Sequence, residues 1–559
     1  MLHVLPPEVT LSVLSHLPIS SLLSLRVLSH QWLDFFTANQ SVIFHCAALF
    51  HGYIQPGTMF LEDALSVNMG RPWEGSTSWK DFCYRSIQLR KNWEGKGRAV
   101  AYVLSPPGFN VHRIKVDEKA GICIMTCIWG GLSVVHLFSG ILLWCLPQSY
   151  VRPHAHCEYD NGYLVFDRED GSKEVWRLAS GFTADDEVAA YAPPEAVQIA
   201  VSAHAAALNH QYAPRGQFRP WALLRFHEPT RGYRLAYPTL ICASHERAFL
   251  HDVHTGSLVQ TIDMRLRDLR YVDVNERHAF VCESDAVHVF SRESGNEVLC
   301  ISTNASVQCS RRVGDPSLIS GDWFITPLSV YPEIDESRLL PDVTIAAHVS
   351  RDGRDLVVLS EKRRVMFIRD FERICRGETS LEQAGLVLGI PPEDTCHYLG
   401  FEHGRVCVAT VRISKFPFVI LHVHVRLKIR GLYVFTFGAD LSARAAFVRP
   451  SENALARSYI SCMQLTDRRI YFTWEDSRRR QDITLFEDAE NAQELPRPIT
   501  PIFDLELQVM LWMAQHGRYS FTKLVLTLTL FVLSKAPVEK DSVGCIDFTL
   551  MPEGYAREI

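Results

Sequence analysis

The stretch LPPEVTLSVLSHLPISSLLSLRVLSHQWLDFF, residues 5–36, decides the first part of the fold. Pro6 favours an extended backbone, and Pro7 suits the first helical position, where its missing N–H costs nothing. Glu8 then lies at the positive end of the helix dipole. Apolar side chains follow at helical spacing: Val9, Leu11, Val13, Leu14 and Leu17. The pattern predicts an amphipathic helix that ends before Pro18.

Two more short helices are expected before residue 48. Ser20 or Ser21 can cap the second one, and its apolar residues are Leu22, Leu23, Leu25, Val27 and Leu28. A third helix after Ser29 would place its aromatic residues on one side: Trp32, Phe35 and Phe36. Three such helices cannot bury all of their apolar surface within about 40 residues. The remaining face therefore needs a partner.

This stretch resembles an F-box. It has a Leu-Pro pair, an acidic residue, two apolar helices split by a second Leu-Pro pair, and then Leu-x-Val-Leu-Ser-x-x-Trp. The resemblance implies that residues 1–48 dock on the Skp adaptor and, through it, join a cullin–RING ubiquitin ligase. Ser21 departs from the acidic cap of many family members, although a serine should still cap the helix. Alternatively, the helices only cap the following domain and bind nothing.

The resemblance also implies roles for single residues. Those expected to contact the adaptor are Leu5, Pro6, Pro7, Val9, Leu17, Pro18, Leu25, Val27 and Leu28. Leu14 and Trp32 are expected to support packing inside the module.

Residues 49–98 are predicted to connect two domains. Residues 51–78 are rich in Gly, Pro and polar residues and indicate a loop or hinge. The following segment, SWKDFCYRSIQLRKNWEGKG, resembles the helix that leads into the propeller of F-box proteins with WD-type repeats. Its Arg/Lys cluster is typical of a solvated linker helix rather than of a nucleic-acid patch.

From about residue 99 to residue 510, short strands recur with turns between them. Four units contain a Gly hairpin, at Gly140, Gly171, Gly256 and Gly295, where a tight turn needs a positive φ angle. Three weaker units follow, in DLVVLSEKRRVMFIRD, YLGFEHGRVCVATV and YISCMQLTDRRIYFTWED. A unit close to the length of one blade predicts a divergent WD-repeat or quinoprotein-like β-propeller of about seven blades. A β-sandwich is the competing interpretation.

The predicted fold class is therefore α+β multidomain, with a three-helix F-box before an all-β propeller. Two kinds of segment interrupt the pattern. Residues 202–232 lack strand alternation and indicate an exposed, mobile insertion between blades. Residues 414–431 and 518–540 are apolar and basic without turn residues, and each is either a translated intron or an ordinary strand. We set residues 511–559 apart as a C-terminal segment, irregular or not part of the true protein.

Composition excludes several classes. The formal net charge of −6 argues against a nucleic-acid binder. Fifteen scattered cysteines without a CxxC pair indicate reduced thiols rather than disulfides. The N-terminus lacks the basic region of a secretory signal. The most uniformly apolar run, residues 524–533, is shorter than the roughly 20 residues of a membrane-spanning helix. We expect a soluble protein of the cytoplasm, the nucleus or both.

Motifs for catalysis are missing: no GxSxG, no phosphate-binding loop and no HExxH occur. Two H-x-H pairs, His154/His156 and His422/His424, could hold a metal, but surface or loop histidines explain them as well. Asp185 and its neighbour Asp186 lie in an acidic loop that should be solvated. We therefore assign no catalytic, cofactor-binding or metal residue and expect a protein that is not an enzyme.

The predicted function is substrate recognition in a Skp–cullin–F-box (SCF) ubiquitin ligase. The F-box would fix one end of the chain to the ligase, while one rim of the propeller holds a target protein near the ubiquitin-carrying enzyme. Basic residues expected in blade loops, and able to pair with an acidic or phosphorylated target, are Arg311, Arg312, Arg363 and Arg364. Two alternatives remain: a scaffold that uses the adaptor without ubiquitin transfer, and a propeller enzyme.

Overall fold

A computed structural model shows helices first and a closed ring of sheets after them. It describes residues 5–67, 73, 75–104, 111–182, 191–208, 212–303, 305, 307, 309–316, 325–332, 343–361, 363–391, 394–413, 427–438, 440–449, 460, 462–475 and 541–549. Among these, no helix has both the length and the apolar character needed to cross a membrane.

In the described residues, five helices precede the first strand. They are α1 (Pro7–Ser15), α2 (Ile19–Arg26), α3 (His30–Phe50), α4 (Leu61–Val67) and α5 (Trp79–Trp93). The loop predicted for residues 51–78 is wrong where α4 lies. Glu62 and Asp63 favour the first turn of α4, and Ala64 is buried in the core.

Helix α5 is present as predicted, but it is not a solvated linker. Ser78 caps it, because its hydroxyl oxygen accepts the N–H of Asp81 at 3.2 Å. Its apolar side is buried between the N-terminal helices and the sheets, through Trp79, Phe82, Cys83, Leu89 and Trp93. These residues make α5 part of the core rather than a spacer.

Seven sheets follow, numbered here as blades one to seven. Blades one and two contain β2 (Val111–Asp117), β3 (Ile122–Cys127), β4 (Leu132–His136), β5 (Leu142–Leu146), β6 (Cys157–Asp160), β7 (Tyr163–Asp167), β8 (Lys173–Leu178) and β9 (Phe218–Leu224). Blades three and four contain β10 (Gly232–Ala236), β11 (Thr239–Ala243), β12 (Arg247–Asp252), β13 (Leu258–Asp263), β14 (Tyr271–Val274), β15 (His278–Cys282), β16 (Ala286–Ser291) and β17 (Glu297–Ser302).

Blades five and six carry extra strands at their outer edges. Blade five contains β21 (Thr344–Val349), β22 (Leu356–Ser360), β23 (Arg364–Ile368) and β24 (Gly385–Gly389), with β18 (Cys309–Val313) and β20 (Val330–Pro332) added. Blade six contains β25 (Asp394–Glu402), β26 (Arg405–Ile413), β27 (Leu427–Phe437) and β28 (Ala443–Val448), with β19 (Ile325–Leu328) added. The described ranges also contain three α-helices between strands: α6 (Ala196–Leu208), α7 (Phe371–Cys375) and α8 (Leu381–Ala384).

Blade seven closes the ring. It contains β29 (Met463–Leu465), β30 (Arg469–Glu475), β31 (Asp541–Asp547) and, at its outer edge, the first strand of the chain, β1 (Val100–Val103). The innermost strands contact one another in the order β2, β6, β10, β14, β21, β25, β29 and back to β2. A closed ring of sheets is a propeller rather than a sandwich, so the predicted architecture and blade number are confirmed.

The predicted hairpin glycines all have positive φ angles, between 66° and 83°. Gly140, Gly256 and Gly295 lie between the third and fourth strands of their blades, whereas Gly171 lies between the second and third strands of blade two. The seven sequence units therefore fall in seven different blades, but they do not mark the same part of each blade.

The insertion predicted at residues 202–232 is wrong. Residues 202–208 end α6, and β9 lies inside this range as the outer strand of blade two, paired with β8. Helix α6 packs against the same blade through Ala205, which is buried. Aromatic and apolar residues in FRPWALL supply that strand, and Pro220 fits there because β9 is an edge strand.

Residues 414–426 and 518–540, which the sequence sets apart, lie outside the described residues. Residues 427–431 begin β27, which pairs with β26 and β28. Within the C-terminal range 511–559, residues 541–547 form β31, between β30 and β1. The sequence-based boundary at residue 510 leaves this strand out.

Candidate functional site: the free face of the N-terminal helices

The starts of the first three helices follow from local chemistry. Helix α1 begins directly after Pro6, with Pro7 in its first turn. Ser29 caps α3, because its hydroxyl oxygen accepts the N–H of Trp32 at 3.2 Å. The predicted serine cap of α2 is wrong: this helix starts immediately behind Pro18, and the N–H groups of Ser21 and Leu22 bond to the Pro18 carbonyl at 2.8 and 3.1 Å.

One side of this module is buried. Its core residues, continuous with those of α5, are Leu14, Ile19, Leu22, Phe36, Ile43, Phe44, Ala47 and Ala48. The Cys83 thiol of α5 donates a hydrogen bond to the carbonyl of Phe44 at 3.2 Å. Burial raises the pKa of Cys83 to about 12, so the thiol is an inert packing group.

Histidines fix α1 against the end of α3. The Nε2 atom of His51 lies 2.9 Å from the carbonyl oxygen of Leu17, and the ring of His16 packs edge-on against Phe50 with centroids 4.4 Å apart. These contacts hold the turn between α1 and α2 in place and leave the outer side of both helices uncovered.

The outer side is the free face. Of the residues predicted to contact the adaptor, those exposed are Leu5, Pro6, Pro7, Val9, Pro18, Val27 and Leu28; Leu17 and Leu25 are half-buried. Val27 and Leu28 are 79% and 66% exposed. A large exposed apolar patch on a monomer often marks a binding site, and these residues are the candidates for one. Adaptor contact by these residues stays a prediction.

Four further apolar residues of these helices are exposed but were not among the predicted contacts: Val13, Leu33, Val42 and Phe50. Val13 belongs to the apolar stripe of α1. The spacing of that stripe does not predict which of its side chains pack against α3 and which stay exposed. Of the two residues predicted to pack inside the module, Leu14 is buried, and Trp32 is half-buried with its ring 5.9 Å from that of Phe36.

A polar cluster joins the innermost strands of blades one to four, with His156 directly before the strand of blade two. Glu158 accepts from Lys115 Nζ at 2.7 Å and from Arg234 Nη1 at 3.3 Å, and it lies 2.9 Å from His156 Nε2. Arg234 continues to Asp273, with Nε and Oδ1 3.6 Å apart. Burial alone would raise the pKa of Glu158, but Arg234, Lys115 and His156 hold it well below its usual range. This saturated carboxylate binds the blades together and is unsuited to proton transfer.

In the part of the chain that the structure describes, His154 and His156 do not come together with a third metal-binding side chain. The Nε2 atom of His156 lies within hydrogen-bonding distance of the Glu158 carboxylate. His154 instead packs edge-on against His112, with ring centroids 5.1 Å apart. Cys157 is fully buried. His422, His424, Asp185 and Asp186 lie outside the described residues.

The four predicted arginines are not all in loops. Arg311 and Arg312 lie on β18, and Arg363 precedes β23, which Arg364 begins. Arg312 and Arg364 are both paired with Gly389 of β24, one from each side. Residues paired in register share a face of the sheet, so these two guanidinium groups flank a position without a side chain.

Comparisons with known proteins gave one family match and several similar solved structures. The F-box domain model matches residues 2–42. A solved structure of the β-propeller domain of Cps50 (Swd1) from Myceliophteria thermophila is similar, with 9% identity, 67% of this chain and 96% of that chain covered, and a TM-score of 0.39. The structure of U3-55K shares 10% identity over 66% of this chain and 90% of that chain, with a TM-score of 0.38.

The structure of the RRP9 WD40 repeats shares 10% identity over 66% of this chain and 89% of that chain, with a TM-score of 0.38. Among curated proteins, no match to this chain was found. The blade number rests on the closed ring of seven sheets in the chain itself. The chain therefore carries an F-box domain at residues 2–42, followed by a seven-bladed β-propeller whose structural neighbours include WD40-repeat proteins.

Proposed function

We propose that this chain is the substrate-recognition subunit of an SCF ubiquitin ligase. Its F-box would bind the Skp adaptor, which links it to a cullin–RING core, and its propeller would hold a target protein. The chain would accelerate ubiquitin transfer by proximity, without a catalytic side chain of its own. It would act in the cytoplasm, the nucleus or both.

The observation that carries this proposal is that the N-terminal helices are buried on one side only. Their inner side is sealed against α5 and the propeller, while Val27, Leu28 and Val9 on the outer side remain exposed. A module that only capped the propeller would have no reason to keep such side chains in water. On this proposal, the free face would pack against an apolar surface of the adaptor.

The target would bind the rim of the propeller opposite α5. Trp93, at the end of α5, donates from Nε1 to the carbonyl oxygen of Asp467 at 3.1 Å, in the turn between the first two strands of blade seven. The turn between the second and third strands of blade five, which contains Arg363, lies on the other rim, because successive strands run in opposite directions. There, Arg312 and Arg364 could pair with an acidic or phosphorylated segment.

A matched pair of valine substitutions tests the adaptor contact. Val27→Asp should weaken binding to purified Skp adaptor by at least about 100-fold, since a charge would be forced into an apolar contact. Val259→Asp on blade three is the control, because Val259 is 60% exposed and distant in sequence from the F-box. Equal binding by both variants would rule out the proposed face.

A second test uses Leu5→Asp combined with Pro6→Ala, which should abolish adaptor pull-down while the propeller stays folded. Both residues are exposed, so the far-ultraviolet circular dichroism spectrum should not change. Recovery of cullin with the wild-type chain would separate a ligase subunit from a scaffold. Adaptor without cullin, in cells with intact ligase, would contradict the ligase assignment.

A further inference from the structure

The outer strands of blade four bring together three side chains that can bind a metal ion. His288 on β16 is paired directly with Cys300 on β17, so their Cβ atoms lie about 5 Å apart on one face of the sheet. Glu297 also lies on β17, three residues before Cys300. One ligand atom from each residue, an imidazole nitrogen, a carboxylate oxygen and Sγ, lies within 4.8 Å of the other two.

A β-bulge makes this arrangement possible. In a regular strand, residues 297 and 300 would point to opposite faces, since side chains alternate. The register shifts between Val289 and Phe290, so that Phe290 is paired with Glu297 and Val298 is the extra residue. The shift turns Glu297 to the face of His288 and Cys300, with Glu297 Oε2 3.0 Å from His288 Nδ1.

The other side of the imidazole faces a second carboxylate. His288 Nε2 is buried without a hydrogen-bond partner, and Glu283 Oε2 lies 3.6 Å from it. A histidine that binds metal through one nitrogen usually donates from the other to a carboxylate, which fixes the ring and its tautomer. Glu283 is in place to do so when Nδ1 is the ligand.

The charge around Cys300 also favours a cation. Burial raises the pKa of its thiol, and Glu297, Asp285 and Glu283 raise it further. These acidic groups would stabilise a bound dication, and a bound dication would in turn lower the pKa of the coordinating thiol.

The same bulge occurs in blades one, two and three. The bulge alone therefore does not indicate a metal site, and the side chains at the paired positions must be compared. The residues at the three corresponding positions are Ser133, Leu142 and Cys145 in blade one, Glu174, Pro220 and Leu223 in blade two, and Phe249, Leu258 and Thr261 in blade three. Among these four blades, only blade four has a ligand at all three positions.

We propose that His288, Glu297 and Cys300 form a zinc-binding site that joins β16 to β17. Imidazole, thiolate and carboxylate together suit Zn²⁺, and water completes the tetrahedron. On binding, the Cys300 thiol would lose its proton to solvent, and the imidazole of His288 would coordinate through the lone pair of Nδ1. The ion would clamp the edge strand of the blade.

Cobalt titration of the metal-free full-length chain tests the site. The wild-type chain should bind a single Co²⁺ with thiolate-to-cobalt absorption in the near ultraviolet and the strong visible bands of tetrahedral cobalt, both lost when Zn²⁺ is added. Cys300→Ser and His288→Ala should abolish the thiolate absorption. No such absorption in the wild-type chain would overturn the proposal.

Cys145→Ser is the matched control, because Cys145 occupies the same position in blade one without a histidine or carboxylate beside it. It should leave the cobalt spectrum unchanged. Equal loss with Cys145→Ser, or an unchanged spectrum with Cys300→Ser, would assign the metal to another site and overturn the proposal.

Exposed Cys300 should tolerate serine, and circular dichroism checks this. Glu297→Gln provides a second, independent variant, since it keeps the shape of the side chain. It should weaken Zn²⁺ binding at least tenfold and reduce the rise in melting temperature that Zn²⁺ gives to the wild-type chain. The same Zn²⁺-dependent rise in both proteins would count against the site.

Discussion

The indole ring of Trp93 stacks on the phenyl ring of Phe548, with centroids 3.8 Å apart and planes at 15°. Trp93 ends α5, and Phe548 directly follows β31. Asn92 Nδ2 reinforces the contact by donating to the carbonyl oxygen of Phe548 at 2.6 Å. The helix that carries the F-box is thereby attached to the blade that closes the ring. In a ligase, such an attachment would hold the target at a fixed distance from the adaptor.

Removing this ring tests the attachment. Phe548→Ala should lower the free energy of unfolding by about 3–5 kcal/mol, because it leaves a cavity beside Trp93. Urea denaturation followed by tryptophan fluorescence measures the change. Phe60→Ala, at an exposed phenylalanine, should change stability by less than about 0.5 kcal/mol. If both variants lost a similar amount of free energy of unfolding, the stacking of Phe548 on Trp93 would not contribute to stability.

Closure of the ring should depend on β31. A chain that ends after residue 540 lacks the strand between β30 and β1, so both lose a hydrogen-bonding neighbour and blade seven cannot form. We expect rapid cleavage in limited proteolysis and loss of the cooperative thermal transition. A chain that ends after residue 549 retains all seven described sheets and serves as the control. A cooperative transition in the shorter chain would contradict the proposed closure.

Glu158 should stabilise the protein most at neutral pH. Glu158→Gln leaves Lys115 and Arg234 without their shared carboxylate, and breaking a buried ion pair costs about 3–5 kcal/mol. The folded pKa of Glu158 lies well below its usual range, although burial opposes this. Its contribution is therefore fully present above the unfolded pKa of about 4.3 and is lost as the pH falls through the folded value.

Denaturation of wild type and Glu158→Gln at pH 7 and at pH 3 measures this dependence. The difference between the two proteins should be largest at pH 7 and should shrink at pH 3. Glu293→Gln, at an exposed residue, should change stability little at either pH. A difference that grows with acidification would contradict the assigned sign.

Glu402 should behave in the opposite way. Burial raises its pKa to about 7, with Arg351 opposing the shift. Below the unfolded pKa of about 4.3, Glu402 is protonated in both states and does not change the free energy of unfolding. As the pH rises through 7, ionisation of the buried carboxyl group lowers that free energy. Glu402→Gln, which mimics the protonated form, should match wild type at pH 4 and exceed it at pH 8. The side chain is 27% exposed, so after screening the gain should be on the order of 1–2 kcal/mol.

Thermal unfolding across pH 4–8 tests this prediction. Glu361→Gln, at an exposed position, should follow the wild-type curve throughout. Parallel curves for wild type and Glu402→Gln would show that the carboxyl group titrates in the same way in the folded and unfolded states.

The sequence by itself determined the local elements. Pro7 and apolar spacing predicted α1, apolar spacing predicted α2, and Ser29 with the aromatic residues after it predicted α3. The hairpin glycines marked four of the seven blades. Such signals are complete within about ten residues, because they depend on side chains that meet their own backbone or the next turn. They could therefore be found before any partner strand was known.

Pairing between distant segments was decided only by the tertiary structure. At the outer edge of blade seven, β1 pairs with β31, which lies more than four hundred residues later in the chain. No local sequence pattern in either strand predicts this partner. Residues 218–224 became a strand because β8 was there to pair with them, and Val13 stays exposed because α3 covers a different side of α1. His288 and Glu297 share a face only through a register shift. Side-chain alternation fixes two faces for every strand, but the neighbouring strand decides the register and hence which side chains meet.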